Sequence, residues 1–227
     1  MGELVVSEVF GPTFQGEGPS IGRRAGFVRL GRCNLACTWC DTAYTWDWDR
    51  FDPAVELHRM DVADVVAAVE AMDVPMVVVT GGEPMLQQAA LLELLPALSP
   101  ASSPRRIEVE TAGTIAPRPE LVALVDQFNV SPKLANSGNP LDRRYKPDVL
   151  RAFQDTGKAV FKFVAVGPAD LDEIAGFGLS PVWVMPEGTT SEAVREGMAG
   201  LADAVLARGW NLTPRLHVEL WGDKRGV

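Results

Sequence analysis

Short apolar strands that stop at glycine or proline turns and give way to helices constrain this chain more than any other feature. Met76-Val77-Val78-Val79 follows Pro75 and runs into Thr80-Gly81-Gly82. A continuous, largely β-branched run of this length reads as a strand covered on both faces, as in parallel sheets. Similar runs predict strands over residues 4–9, 27–30, 107–110, 128–130, 158–166, 182–185 and 216–220. A helix is expected after Asp61, where Val62, Val65, Val66, Val69 and Met72 fall at helical spacing. Others are expected over 86–95 with Pro96 as the stop, within 121–125, from Pro147 to about Asp155 with Gly157 as the stop, and over 191–207 with Gly209 just past the end. Strands and helices that alternate with short turns define a parallel α/β sheet or barrel. About six parallel strands are fewer than the eight of a closed barrel, so a partial, open TIM-like barrel is expected.

The chain has 227 residues, 47% hydrophobic and 22% charged, which suits one ordinary globular core. No repeat, low-complexity tract or composition shift marks a boundary, so a single domain over 1–227 is expected. The polar stretch 132–142 is a loop, too short to separate domains. The net charge of −9 repels phosphate backbones and disfavours direct nucleic-acid binding. No apolar run approaches the roughly 20 residues of a membrane span. The first residues lack a basic start and a long apolar stretch, so a cytoplasmic protein is expected.

All three cysteines lie within eight residues, as Cys33-Asn34-Leu35-Ala36-Cys37-Thr38-Trp39-Cys40. A disulfide framework uses an even, dispersed set. Three thiolates on one loop can instead converge on a metal centre. Zinc would need a fourth ligand, and His58 is available on spacing alone. A cubane iron–sulfur cluster held by three cysteines would leave one iron open to a small molecule.

Functional groups of parallel α/β folds gather at the carboxyl ends of the strands. Thr80-Gly81-Gly82-Glu83-Pro84 follows one strand and sets a carboxylate beside two glycines; alone it is either a turn or a site for an ammonium group. Glu110-Thr111-Ala112-Gly113-Thr114, Ser131-Pro132-Lys133 and Met185-Pro186-Glu187-Gly188 end three more strands and carry the same ambiguity. Near the N-terminus, Phe14-Gln15-Gly16-Glu17-Gly18 fails as a phosphate loop, because Glu17 stands where lysine is needed. Its amide and carboxylate suit the edge of a pterin or purine. Arg29, a lone charge in Phe27-Val28-Arg29-Leu30, either snorkels to solvent or receives a substrate carboxylate.

The cysteine loop, with an aromatic residue just before its last cysteine, resembles that of the radical S-adenosylmethionine (SAM) enzymes. Together with FQGEG, Asp41-Thr42 directly after Cys40, GGEP, Ser131-Pro132-Lys133 and His217, it is similar over nearly the whole chain to the 7-carboxy-7-deazaguanine synthase family of such enzymes. The resemblance implies a reduced radical SAM barrel with less helix than usual, working as a homodimer. It implies a 4Fe–4S cluster on Cys33, Cys37 and Cys40, Mg2+ on Thr42, and SAM against Trp39, Cys40, Asp41, Gly82, Glu83, Ser131, Pro132, Lys133 and Met185, Pro186, Glu187 and Gly188. It places Phe14, Gln15, Gly16, Glu17, Arg29, Thr80 and His217, the last in a terminal strand, at a pterin substrate. The implied reaction turns 6-carboxy-5,6,7,8-tetrahydropterin into 7-carboxy-7-deazaguanine and ammonia, toward queuosine and related deazapurines, with electrons from a donor such as a flavodoxin or ferredoxin. The competing readings are another radical SAM enzyme, such as a glycyl-radical activase, and a zinc module on Cys33, Cys37, Cys40 and His58.

Overall fold

A computed structural model describes residues 2–227. Met1, the start of the segment read above for an export leader, lies outside the described residues. In chain order the elements are β1 (Glu3–Phe14), β2 (Arg24–Leu30), α1 (Pro53–Glu56), β3 (His58–Asp61), α2 (Val62–Glu70), β4 (Met76–Gly81) and α3 (Gln88–Leu98). They continue with β5 (Arg106–Thr111), α4 (Pro119–Leu124), β6 (Gln127–Val130), α5 (Leu141–Arg144), α6 (Pro147–Asp155) and β7 (Ala159–Ala165). The last are α7 (Asp170–Phe177), β8 (Val182–Pro186), α8 (Ser191–Ala207), β9 (Asn211–Leu212) and α9 (Leu216–Trp221).

The strands form one sheet in the order β3-β1-β2-β4-β5-β6-β7-β8-β9. β1 runs antiparallel to β2 and β3. From β2 onward every pairing is parallel. β3 and β9 are opposite edges and do not pair, so the barrel is open, with six full parallel strands and a two-residue seventh.

Side chains alternate across a strand with a period of two, and this alternation creates the site. Val77 and Val79, Ile107 and Val109, Phe128 and Val130, Phe161 and Phe163 all join the main core against the helices. Leu91, Leu94, Leu95 and Leu98 of α3 and Leu150 and Phe153 of α6 belong to the same core. The intervening residues face the inside of the barrel: Thr80 on β4, Glu110 on β5, Asn129 on β6 and Lys162 on β7 all line its cavity. The outer face is thus apolar and the inner face polar.

Several expectations are corrected. Residues 216–220 were expected as a strand but form helix α9, so His217 sits on a helix. Five residues span too little chain to separate a period of two from one of 3.6. Pro96 does not stop its helix, which continues to Leu98 because Leu94, Leu95 and Leu98 are wholly buried against the sheet. The edge strands β3 and β9 and helix α7 were not foreseen. Helices α6 and α8 have the expected extents.

Candidate active site at the strand ends

The carboxyl ends of the parallel strands and the loop after β1 enclose a cavity of about 230 Å³. Phe14, Gln15, Gly16 and Glu17 line it from the N-terminal loop, and Arg29 and Thr80 from the inner barrel wall. Cys33, Cys37, Trp39, Cys40, Asp41 and Thr42 line it from the cysteine loop. Gly82, Ser131 and Lys133, then Met185, Pro186 and Glu187, enter from three strand ends, and His217 from α9. Three expected residues, Glu83, Pro132 and Gly188, do not line it.

Each thiol receives a hydrogen bond. Leu35 N–H donates to Cys33 Sγ at 3.4 Å, the Asn139 amide to Cys37 Sγ at 3.3 Å, and Trp46 Nε1–H to Cys40 Sγ at 3.3 Å. Donors aimed at sulfur stabilise thiolate rather than thiol. Burial meanwhile pushes the Cys33 thiol up to about 12 and raises Cys37 as well. A metal reverses that preference, because coordination deprotonates a thiol outright. The donor set therefore fits a group that brings its own positive charge. Among the described residues no three His, Cys, Asp or Glu side chains converge on a single ion. His58 is exposed on edge strand β3, opposite Val6, so the zinc arrangement is not assembled. A cubane takes one thiolate per iron corner and needs no such single point.

The two glycines after β4 are required by the chain itself. A β-carbon on Gly82 would lie 1.9 Å from the Arg32 carbonyl oxygen, and one on Gly81 2.1 Å from that of Leu30. Gly82 N–H donates to Leu30 O at 3.0 Å and Glu83 N–H to Arg32 O at 2.8 Å, so this turn is laced to the start of the cysteine loop. Glu83 is fully buried. Its carboxylate accepts from Thr111 Oγ1 at 2.7 Å, Ala112 N at 2.8 Å and Met85 N at 3.0 Å. Burial raises its pKa against these donors. It joins the β4 and β5 turns from below the cavity.

At the other end, Glu110 on β5 organises a polar recess. Its carboxylate accepts from Gln15 Nε2 at 3.1 Å and Thr80 Oγ1 at 2.8 Å. Glu17 pairs with Lys162 and with Arg215, the latter at 3.3 Å, with His217 Nε2 at 3.9 Å. Burial alone would raise the Glu17 carboxyl, but Lys162, Arg215 and His217 together hold it well below the usual carboxylate range. Arg29 donates to Glu8 at 2.7 Å and lies over the Phe10 ring. It is largely buried rather than snorkelling.

Lys162 and Arg215 escaped the sequence reading. Lys162 is one charge in the apolar strand Val160-Phe161-Lys162-Phe163, the same pattern as Arg29, and that pattern was the available signal. Arg215 precedes a helix that reads as a strand, and its partners are far away in sequence. Trp46 and Asn139 likewise approach the sulfurs only through the fold.

The sequence signature of the Radical SAM superfamily matches residues 28–196, so an open parallel barrel with three thiols at its mouth is, in this chain, that of a radical SAM protein. A 7-carboxy-7-deazaguanine synthase of Pyrobaculum aerophilum is 40% identical over 229 residues, covering 97% of this chain and 96% of the relative. One from Halobacterium salinarum is 34% identical, covering 97% and 91%. The crystal structure of QueE from Escherichia coli shares the fold, with a TM-score of 0.70 over 93% of each chain at 24% identity. The chain belongs to the 7-carboxy-7-deazaguanine synthase family of the Radical SAM superfamily.

Proposed function

We propose that this chain, acting as one domain, converts 6-carboxy-5,6,7,8-tetrahydropterin into 7-carboxy-7-deazaguanine and ammonia. The observation that carries the reading is the shared cavity: the three-thiol loop and the residues Gln15, Glu17 and Glu110 all line it. Cys33, Cys37 and Cys40 would hold the cluster, and SAM would bind beside it. Trp39, Asp41 and Gly82, with Ser131, Lys133 and residues 185–187, surround the SAM side. Glu83, Pro132 and Gly188 support that wall from behind. The cluster and SAM, when bound, supply one-electron chemistry: reductive cleavage of SAM and removal of a hydrogen atom from the substrate carbon.

The protein's residues hold the pterin for that step. Gln15 offers an amide, Glu17 an ionised carboxylate and Thr80 a hydroxyl to the heterocycle edge, and Phe14 and His217 border it. Arg29 is the cation for the substrate carboxylate, exchanging its contact with Glu8. Lys162 keeps Glu17 charged. Thr42 lies at the cavity beside Cys40, with its Oγ1 3.6 Å from the sulfur. Its hard oxygen would suit Mg2+, a cation that prefers oxygen ligands. Closing these groups around the substrate positions the C–H bond and excludes water. The family resemblance supports a cytoplasmic homodimer fed by a flavodoxin or ferredoxin.

The test is anaerobic turnover of the purified, cluster-loaded protein with SAM, reductant, Mg2+ and the carboxytetrahydropterin. Mass spectrometry should find a product lighter by one ammonia. Unchanged pterin alongside active SAM cleavage would point to a different substrate.

A further inference from the structure

Of the lysines and arginines that line the cavity, Arg215 has no part in the mechanism above. Arg215 lies at the start of α9, with its side chain only 7% exposed. It is the N-cap residue of α9, but only its backbone carbonyl serves the first turn, accepting from Val218 and Glu219, and its side chain makes no capping hydrogen bond. Its guanidinium reaches three loops from three separate parts of the sheet. Nε–H donates to Glu17 Oε1 at 3.3 Å, in the loop after β1. One Nη donates to the Gly188 carbonyl at 2.7 Å, in the loop after β8. The other pairs with Asp41, directly after Cys40. A planar fork of five N–H groups can span three acceptors in a way that an ammonium cannot. Those loops carry the pterin side, the far wall and the cluster side of the cavity.

We infer that Arg215 is a positioning residue, which sets the distance between the pterin recess and the cluster loop by pinning Glu17, Asp41 and Gly188 to one rigid group. This rests on the proposed synthase reading and extends it from which groups bind to what fixes their spacing. A residue that only held the fold together would affect melting. One that sets the spacing must also affect how well radical generation is coupled to product. Removing the fork leaves Glu17 paired with Lys162 and leaves Asp41 partly solvated, so neither carboxylate is left both buried and unpaired.

The experiment compares wild type, Arg215→Met and Arg215→Lys, each cluster-loaded under anaerobic conditions. Calorimetry measures pterin binding with SAM withheld, and turnover measures 5′-deoxyadenosine released per deazapurine formed. Both variants should keep iron content near wild type. Arg215→Met should bind pterin at least about tenfold more weakly, the scale for losing one partner of a buried charge contact. Both variants should release excess 5′-deoxyadenosine, because lysine restores the charge and not the three-way span. Wild-type affinity together with a wild-type ratio in Arg215→Lys, whatever the melting temperature, would overturn the inference. If wild type itself forms no deazapurine while cleaving SAM, the functional reading fails and the inference falls with it.

Discussion

Gly16 makes room for His217: a β-carbon on Gly16 would lie 2.1 Å from the histidine Nδ1. The same glycine's carbonyl accepts the Leu216 N–H at 2.8 Å. The N-terminal loop and helix α9 are thus fitted to each other at a position where only a hydrogen fits. Gly16→Ala should displace the imidazole and lower stability by about 1–3 kcal/mol, the usual cost of overpacking. Urea denaturation together with the KM for the pterin checks this, and KM should rise.

Gly82→Ala should be more severe. Its β-carbon would meet the Arg32 carbonyl oxygen at 1.9 Å and Cys33 N at 3.0 Å. These are backbone atoms, so relief requires moving the segment that aims Cys33. The expected result is a loss of about 3 kcal/mol or more and low iron incorporation on reconstitution. Iron content per chain and the melting temperature read the two effects separately.

Acid should weaken the fold in two stages. Burial holds the His217 pKa below its ordinary 6.5, with Glu17 opposing. Burial acts to raise the Glu17 pKa, but its three cationic neighbours hold it below the ordinary 4.5. In both cases the unfolded chain binds a proton at a pH where the folded chain does not. Stability is therefore retained above each ordinary value and lost as pH falls below it. Lys162 has the opposite sign: burial lowers its pKa, Glu17 and Glu110 raise it further, and its contribution is lost only above its ordinary 10.5. His217→Gln, compared with wild type at equal iron loading, should flatten the slope of denaturation midpoint as pH falls below the ordinary histidine value of 6.5.

Trp46 should tune the cluster. An N–H donated to a ligating sulfur stabilises the extra negative charge of the reduced state and raises the potential. Trp46 donates to Cys40 Sγ at 3.3 Å. Trp46→Phe keeps the ring bulk and removes the donor, so the midpoint potential should become more negative in an EPR-monitored titration. A midpoint unchanged from wild type would show that the bond does not persist once iron is bound.

The strand-end turns were legible because each motif is contiguous: Cys33 to Cys40, Gly81-Gly82-Glu83 and Ser131-Pro132-Lys133 carry their chemistry within a few residues. α8 was legible because its apolar stripe persists over 17 residues. The pairs Lys162–Glu17 and Arg215–Asp41 were not, because they lie 145 and 174 residues apart. A single charge in an apolar strand looks the same whether it meets solvent or a buried carboxylate. Helix α9 was misread because Leu216-His217-Val218-Glu219-Leu220 alternates as a strand would. The hydrogen bonds by which the buried Glu83 oxygens tie two turns together were not legible either. That placement depends on how β4 and β5 lie side by side.

The claim on which the rest depends is that three thiolates hold a four-iron cluster with one corner open to SAM. EPR of the anaerobically reconstituted, reduced protein, recorded with and without SAM, tests it most directly. A reduced 4Fe–4S signal whose shape changes when SAM is added is the predicted result. A cluster signal indifferent to SAM, or a reconstituted protein without iron, would contradict it.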